Sequence, residues 1–460
     1  MTGFQVVPYF FIGKYRRFFE LLFAERVGHI RRLIADELNQ ISSFFAKSCF
    51  LSKQLIVIGG GAAGFFCAVN AARINPALRV MVLEKSNKLL SKVRISGGGR
   101  CNVTHSCFDI EEMSSHYPRG NRFVRKAFHQ FFTTDTIRWF EERGVKLKTE
   151  ADGRMFPVSD SSESITGCLL KEVNQYNVEV RMNAEVAELK KTANLFHLRL
   201  NDGRELTADY ICVASGGYPK AAMFDWLKNT GHTVESPVPS LFTFNIPSHP
   251  VTGLMGISVP AATVKIAGTK LEETAPLLIT HWGLSGPAVL KLSARGARDL
   301  AGADYYFEIR VNWLPGQHDQ QLAEQFRQFR TTLAAQKISQ RNPFGLPQRL
   351  WEFLLQFSGT DPEKRWADLP AKEQNKLISH LVNCPFTVRG KTTFKEEFVT
   401  AGGVRLTEVD VNTMQSKKIP GLYFAGEVMD VDGVTGGFNF QHAWTSGFIA
   451  ASSIAAASIK

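Results

Sequence analysis

The sequence predicts an α/β protein built around a Rossmann-like nucleotide-binding domain, and three of its features do so. The apolar run Leu55-Ile56-Val57-Ile58 leads straight into Gly59-Gly60-Gly61-Ala62-Ala63-Gly64 and an alanine-rich helical segment, Ala62 to Arg73. A second apolar run, Val80 to Leu83, ends on Glu84. A third, Leu422 to Ala425, is followed by Gly426-Glu427, a glycine-rich turn at Gly433 to Gly437 and a small-residue helix from about Asn439 to Ala457. Strand, Gly-x-Gly-x-x-Gly, helix, strand and acid, in that order, form the dinucleotide fingerprint.

Each residue of the fingerprint has a physical task. Gly59 permits the tight turn, Gly61 lets the backbone approach a pyrophosphate, and Gly64 lets helix and strand pack closely. The pyrophosphate would rest on the free N–H groups of the helix start, beside Ala63. Glu84 would accept hydrogen bonds from an adenosine ribose, with Lys85 adjacent.

The chain is long enough, at 460 residues, for two or three domains. Its 44% hydrophobic and 21% charged residues are those of an ordinary soluble protein, not a disordered one. No window approaches the run of about 20 apolar residues that spans a bilayer. The net charge of +11 attracts polyanions or an anionic surface. Seven dispersed cysteines, with no Cys-x-x-Cys pair or His-rich cluster, suggest neither a metal site nor a disulfide framework. Cys67 and Cys212 lie in apolar runs and read as core residues, and a reducing cytoplasm fits.

Residues 1–52 are expected to be an amphipathic extension. Leu22, Val27, Ile30, Ile34, Leu38 and Ile41 recur at helical spacing, and Lys14, Arg16 and Arg17 follow the apolar stretch as they would not in a secretory signal. After Glu84, Lys92 to Asn102 is too glycine-rich for regular structure and suits a loop around a phosphate or flat ring. Thr134 to Arg143 reads as a helix, and Val178 to Val186 and Leu195 to Leu200 as strands, with a hairpin turn at Asn201-Asp202-Gly203. Tyr210 to Gly217 is a buried strand ending in Ala214-Ser215-Gly216-Gly217, small enough to leave room for a ligand. From about Ser236 the texture changes to proline-rich turns, short β pieces such as Ala262 to Ile266, and helices at Gln317 to Leu333 and Arg349 to Phe357. The predicted division is therefore 53–236 and 396–460 for the two parts of the nucleotide domain, with 237–395 inserted between them.

The distant C-terminal strand and turn favour FAD over a nicotinamide nucleotide, because FAD carries a ring that must be gripped at its far end. The helix start at Gly436-Gly437-Phe438-Asn439 can stabilise charge on a reduced ring, and Glu427 can accept a ribityl hydroxyl. Gly426 supports that turn. No covalent attachment residue stands out. No second full fingerprint exists, so NAD(P)H is expected to bind transiently, reduce the ring and leave.

Four segments now carry a family resemblance: Arg94-Ile95-Ser96-Gly97-Gly98-Gly99-Arg100-Cys101-Asn102-Val103-Thr104, Arg154-Met155-Phe156-Pro157, Thr280 to Pro287, and Gly421 through Gly437. With them, residues 53 to 455 resemble the BaiN/RdsA-type NAD(P)/FAD-dependent oxidoreductases. The resemblance implies a glutathione-reductase-type FAD domain in two parts, with an inserted β-barrel-like and helical domain. It marks Gly59, Gly61, Ala63, Gly64, Glu84, Lys85, Arg100, Asn102, Val186, Ala214, Gly216, Gly426, Glu427, Gly436, Gly437, Phe438 and Asn439 as cofactor contacts. It also implies one of several activities: reduction of uridine to dihydrouridine in 23S ribosomal RNA, bile-acid reduction, or amine oxidation.

Reducing a conjugated C=C requires hydride at the β-carbon and a proton at the α-carbon, which in uracil are C6 and C5. Arg100 is available to the charge developing on the C4 carbonyl. Cys101 either delivers the proton or packs under the cofactor, and His281 is a second acid/base candidate or a turn residue. Trp282 can stack on a flat substrate or fill a core. Arg119, Arg122, Arg125, Lys126 and His129, interleaved with Tyr117, Phe123 and Phe128, read as an RNA-gripping stretch or as a solvated amphipathic helix.

Overall fold

In the computed structural model, residues 52–392 and 399–459 are described; the amphipathic extension expected in 1–52 lies outside them, save its last residue. Five parallel strands form the central sheet, in the order Leu422–Phe424, Tyr210–Val213, Gln54–Ile58, Arg79–Leu83, Glu179–Arg181. The strand expected from Val178 to Val186 is split. Only Glu179–Arg181 joins this sheet; Asn183 then turns with φ 52°, and Val186–Thr192 begins an antiparallel ribbon with Leu195–Leu200 and Glu205–Ala208. The Asn201-Asp202-Gly203 turn joins the last two of these, as its residue types require.

The fingerprint helix, Ala62–Ile74, is buried over ten of its residues because the C-terminal helix, Phe438–Ile459, packs along it. Small residues make that approach possible: a methyl carbon at Gly447 would crowd the Ala63 carbonyl oxygen. The fingerprint helix and the C-terminal helix thus share one core, which also takes in Trp139, Phe140 and Trp444.

Between them lies a second core with its own sheet. Seven antiparallel strands run in the order Cys384–Arg389, Tyr306–Asn312, Ser258–Ile266, Glu272–Ile279, Gly283–Ser285, Thr243–Asn245, Lys391–Thr392. The first and last strands of that order are separated in sequence by Gly390 alone, so the sheet curls until its edges meet, as a barrel does. Helices Asp319–Thr332, Gln348–Ser358 and Ala371–Val382 complete this insert around Trp313, Trp351 and Trp366.

Candidate functional site

The crevice lies beyond the carboxyl ends of Gln54–Ile58, Arg79–Leu83 and Tyr210–Val213, where ligands of open α/β sheets sit. The three fingerprint glycines differ in what surrounds them. At Gly59 (φ 119°) a side chain would overlap the Ala214 carbonyl, and at Gly64 it would overlap the carbonyl of Gly59. At Gly61 a methyl carbon would meet no protein atom within 4 Å, so the backbone there borders open space. The helix that follows has Gly61 as its N-cap and no side chain bonded to its free amides. An uncapped helix start behind an open glycine is a cradle for a pyrophosphate.

At the nucleoside end, a cavity is lined by Gly59, Glu84, Lys85, Val186, Ser215 and Tyr218, among others. Glu84 is held by its surroundings: Oε2 accepts from Gly60 N at 2.9 Å, and Oε1 from Ser86 N at 2.9 Å and Ser86 Oγ at 2.8 Å. Each carboxylate oxygen can accept more than one bond, so Glu84 can still take a ribose hydroxyl. Lys85 extends over the Tyr218 ring, 5.1 Å from its centre.

At the other end, Glu427 joins three segments. Its carboxylate accepts from Lys92 Nζ at 2.6 Å and from Thr400 N at 2.9 Å, and Gly217 packs against it so closely that a methyl carbon would sit 2.8 Å away. The Thr400 hydroxyl is buried there beneath Gly217, without a partner. A side chain at Gly426 would strike Ala63, so the C-terminal segment presses on the fingerprint helix. The last helix begins at Phe438, and its first intrahelical bond runs from Gln441 N to Gly437 O at 3.0 Å. The preceding amides therefore lack helical acceptors. Asn439 closes the turn by exchanging two 2.8 Å bonds with Gly433. Asn102 accepts from Gly437 N at 2.9 Å and donates to Thr104 O at 3.0 Å. His105 bonds the Gly436 carbonyl at 3.0 Å, and the Phe438 ring stacks on both His105 and His116, whose own ring centres are 6.2 Å apart. Asn102 and Asn439 thus shape the turn, with Gly436 and Gly437 as its hinge. An open pyrophosphate cradle at Gly61 and a ribose-side acid at Glu84 fit FAD.

The glycine-rich segment is more regular than expected: Ser91 to Ile95 form a helical turn before Gly97, Gly98 and Gly99 adopt φ of 59°, 71° and 85°. Arg100 lies over the Phe156 ring at 4.0 Å and bonds Glu150 at 2.6 Å, with Asp160 at 3.5 Å, so two carboxylates offset its charge. Cys101 is wholly buried by protein atoms alone, and burial pushes its thiol up to about 12. A thiol sealed in this way neither reaches a substrate nor gives up its proton readily, so of the two roles open to it, packing is the one its surroundings support. His281 is exposed on the turn between Glu272–Ile279 and Gly283–Ser285, its ring 4.4 Å from that of Trp282, which is 46% exposed and fills no core.

The basic stretch divides. Arg119 does not face solvent: it pairs with the fully buried Asp432 and donates to Ala294 O at 2.6 Å and Ser240 Oγ at 3.2 Å. Burial pushes the Asp432 carboxyl up, and the guanidinium pulls it back. Tyr117, Phe123 and Phe128 are core residues, unable to stack on bases. Arg122, Arg125 and Lys126 are exposed on helix Asn121–Phe128, with Arg125 2.9 Å from Glu111.

Sequence reasoning missed Lys92, Thr400 and Tyr218. Tyr218 directly follows the small-residue strand end and could have been found there; Thr400 has no local signature.

The HI0933-like protein Rossmann domain matches residues 53–453. Ribosomal RNA dihydrouridine synthase of Escherichia coli is 32% identical over 419 residues, covering 87% of this chain and 98% of that protein. Its namesake from Haemophilus influenzae is 30% identical, covering 87% and 98%. A 3-dehydro-bile acid delta(4,6)-reductase of Clostridium scindens is 29% identical, covering 86% and 97%. The chain belongs to the HI0933-like Rossmann-domain family.

Proposed function

We propose that this protein is a FAD-dependent, NAD(P)H-driven oxidoreductase that reduces a C=C bond conjugated to a carbonyl, and that its substrate is uridine in 23S ribosomal RNA. The observation that carries the cofactor reading is the open space at Gly61 in front of an uncapped helix. Residues 53–236 and 396–460 hold the cofactor, and 237–395 form the inserted domain. When bound, FAD supplies a hydride acceptor for NAD(P)H and a hydride donor for the substrate.

The protein's residues do the rest. Glu84 and Lys85 hold the ribose end, and Val186 and Ala214 border the nucleoside. Gly216 and Glu427 take the ribityl chain. The free amides at Phe438 and Asn439 face the charge that develops on the reduced ring. Remaining donors of Arg100 polarise the substrate carbonyl. His281 stays the acid/base candidate for the α-carbon proton, as an exposed imidazole. Arg122, Arg125 and Lys126 offer cations to RNA phosphates. A ribosomal RNA substrate places the work in the cytoplasm.

Two relatives named for ribosomal RNA support uridine; the bile-acid relative supports a second reading, a small-molecule enone reductase. Incubating the FAD-loaded protein with NADPH or NADH and protein-free 23S RNA, then mapping nucleosides by mass, separates them. A gain of two hydrogens at a defined uridine is expected. Unchanged RNA alongside turnover of a steroid dienone would establish the second reading instead.

A further inference from the structure

The buried rings of helix Asn121–Phe128 leave it with cations but nothing for a base to stack on, so an RNA substrate needs a stacking surface elsewhere. One end of the insert's sheet offers it. Backbone hydrogen bonds run across that end in a continuous row: Gly390 N to Tyr305 O at 2.9 Å, Asn245 N to Gly390 O at 3.2 Å, Ile246 N to Trp282 O at 2.8 Å, and Gly256 N to Ile279 O at 3.0 Å. Beside this row lie the exposed rings of Trp282 (46% exposed) and Tyr306 (59%). It also carries two cations set over rings: Arg389 lies 5.5 Å from the centre of Tyr306, and Lys391 4.5 Å from that of Tyr305. Two exposed acids lie close by in the chain, Asp304 beside Tyr305 and Glu308, which pairs with Arg310 at 3.3 Å. Exposed flat side chains gathered along one edge mark a contact surface, and cations among them select an anionic partner with planar groups.

We propose that this face of the insert docks single-stranded RNA, with Trp282 stacking on one unpaired base and Arg389 and Lys391 holding phosphates of adjoining nucleotides. The spacing suits this. Trp282 and Gly390 are two strands apart, roughly 10 Å at the usual separation. The inference rests on the RNA reading above and adds where the RNA is held.

The test is binding of a fluorescein-labelled, single-stranded 23S RNA fragment by the FAD-loaded protein, followed by anisotropy over a range of salt. Trp282→Ala should weaken binding about tenfold or more with little change in salt dependence, and Trp282→Phe should restore most of it. Arg389→Gln should reduce the slope of log K against log salt by about 0.7, the loss of one single-strand phosphate contact. FAD content and Tm certify that each variant is folded. Independently of variants, 4-thiouridine crosslinking to the wild-type protein should label His281, Trp282 or Tyr306. Variants that bind like the wild type, or crosslinks confined to other surfaces, overturn the docking surface while leaving the RNA reading intact. A wild-type protein that binds no RNA overturns both.

Discussion

Gly61 and Gly64 stand three residues apart on one turn, yet adding a side chain should act on them in different ways. Gly61→Leu projects into open space, so the apoprotein should melt as the wild type does. FAD affinity should fall by about 1–3 kcal/mol or more, the usual scale for forcing extra carbons into a filled site. Gly64→Ala instead drives a methyl carbon into the Gly59 carbonyl and should lower the Tm of the apoprotein itself. Calorimetry with and without FAD distinguishes the two, and equal losses of Tm would contradict the assignment. Cys101 gives the second prediction at this scale. Its thiol ionises in the folded protein at about 12 rather than the ordinary 9.0, while the unfolded chain ionises it near 9. Its contribution to stability is therefore complete below pH 9 and is lost as pH rises from 9 to 12. Cys101→Ala should flatten that alkaline loss, seen in urea midpoints against pH, and leave RNA reduction in place. Abolished reduction in a folded variant would restore the thiol to the chemistry. The glycines were legible in the sequence because their spacing reflects backbone geometry. The sealing of Cys101 was not, because it depends on how the loop from Ser91 to Asn102 folds over itself.

Among elements, the link between Arg119 and the segment after Gly426 governs how the flavin-end turn is held. Asp432 immediately precedes Gly433, and its carboxylate is satisfied by Arg119 and Ser240, which come from two other parts of the chain. Arg119→Ala should leave that carboxylate buried and unpaired, at a cost of about 3–5 kcal/mol. The double variant Arg119→Met with Asp432→Leu should recover much of the lost Tm, since it removes both charges. No recovery would mean that the pair matters through geometry rather than charge. Residues 119 and 432 are too far apart in sequence for any local pattern to connect them, and a run of arginines looks the same whether one of them points inward or out. The helix itself was readable from its spacing; which of its cations remain free depended on the partners that the C-terminal segment brings.

For the molecule as a whole, the assembly of Gln54–Ile58 and Leu422–Phe424 into one parallel sheet was legible in the sequence, because each strand is followed by its own glycine turn and helix. The curling of the insert's sheet was legible only through family resemblance, since barrel closure depends on the pairing order of strands that are individually short. The proposed contacts for the two ends of FAD come from segments that share the parallel sheet, and the sequence carries a net charge of +11. The most direct test of the central claim follows the cofactor through one turnover. The FAD-loaded protein is reduced anaerobically with stoichiometric NADPH or NADH, freed of nucleotide, and mixed with protein-free 23S RNA while the flavin absorbance is recorded. The flavin is expected to be reoxidised, with one dihydrouridine formed for each FAD reoxidised. A flavin that stays reduced with this RNA, or that is reoxidised without dihydrouridine appearing, would contradict the claim.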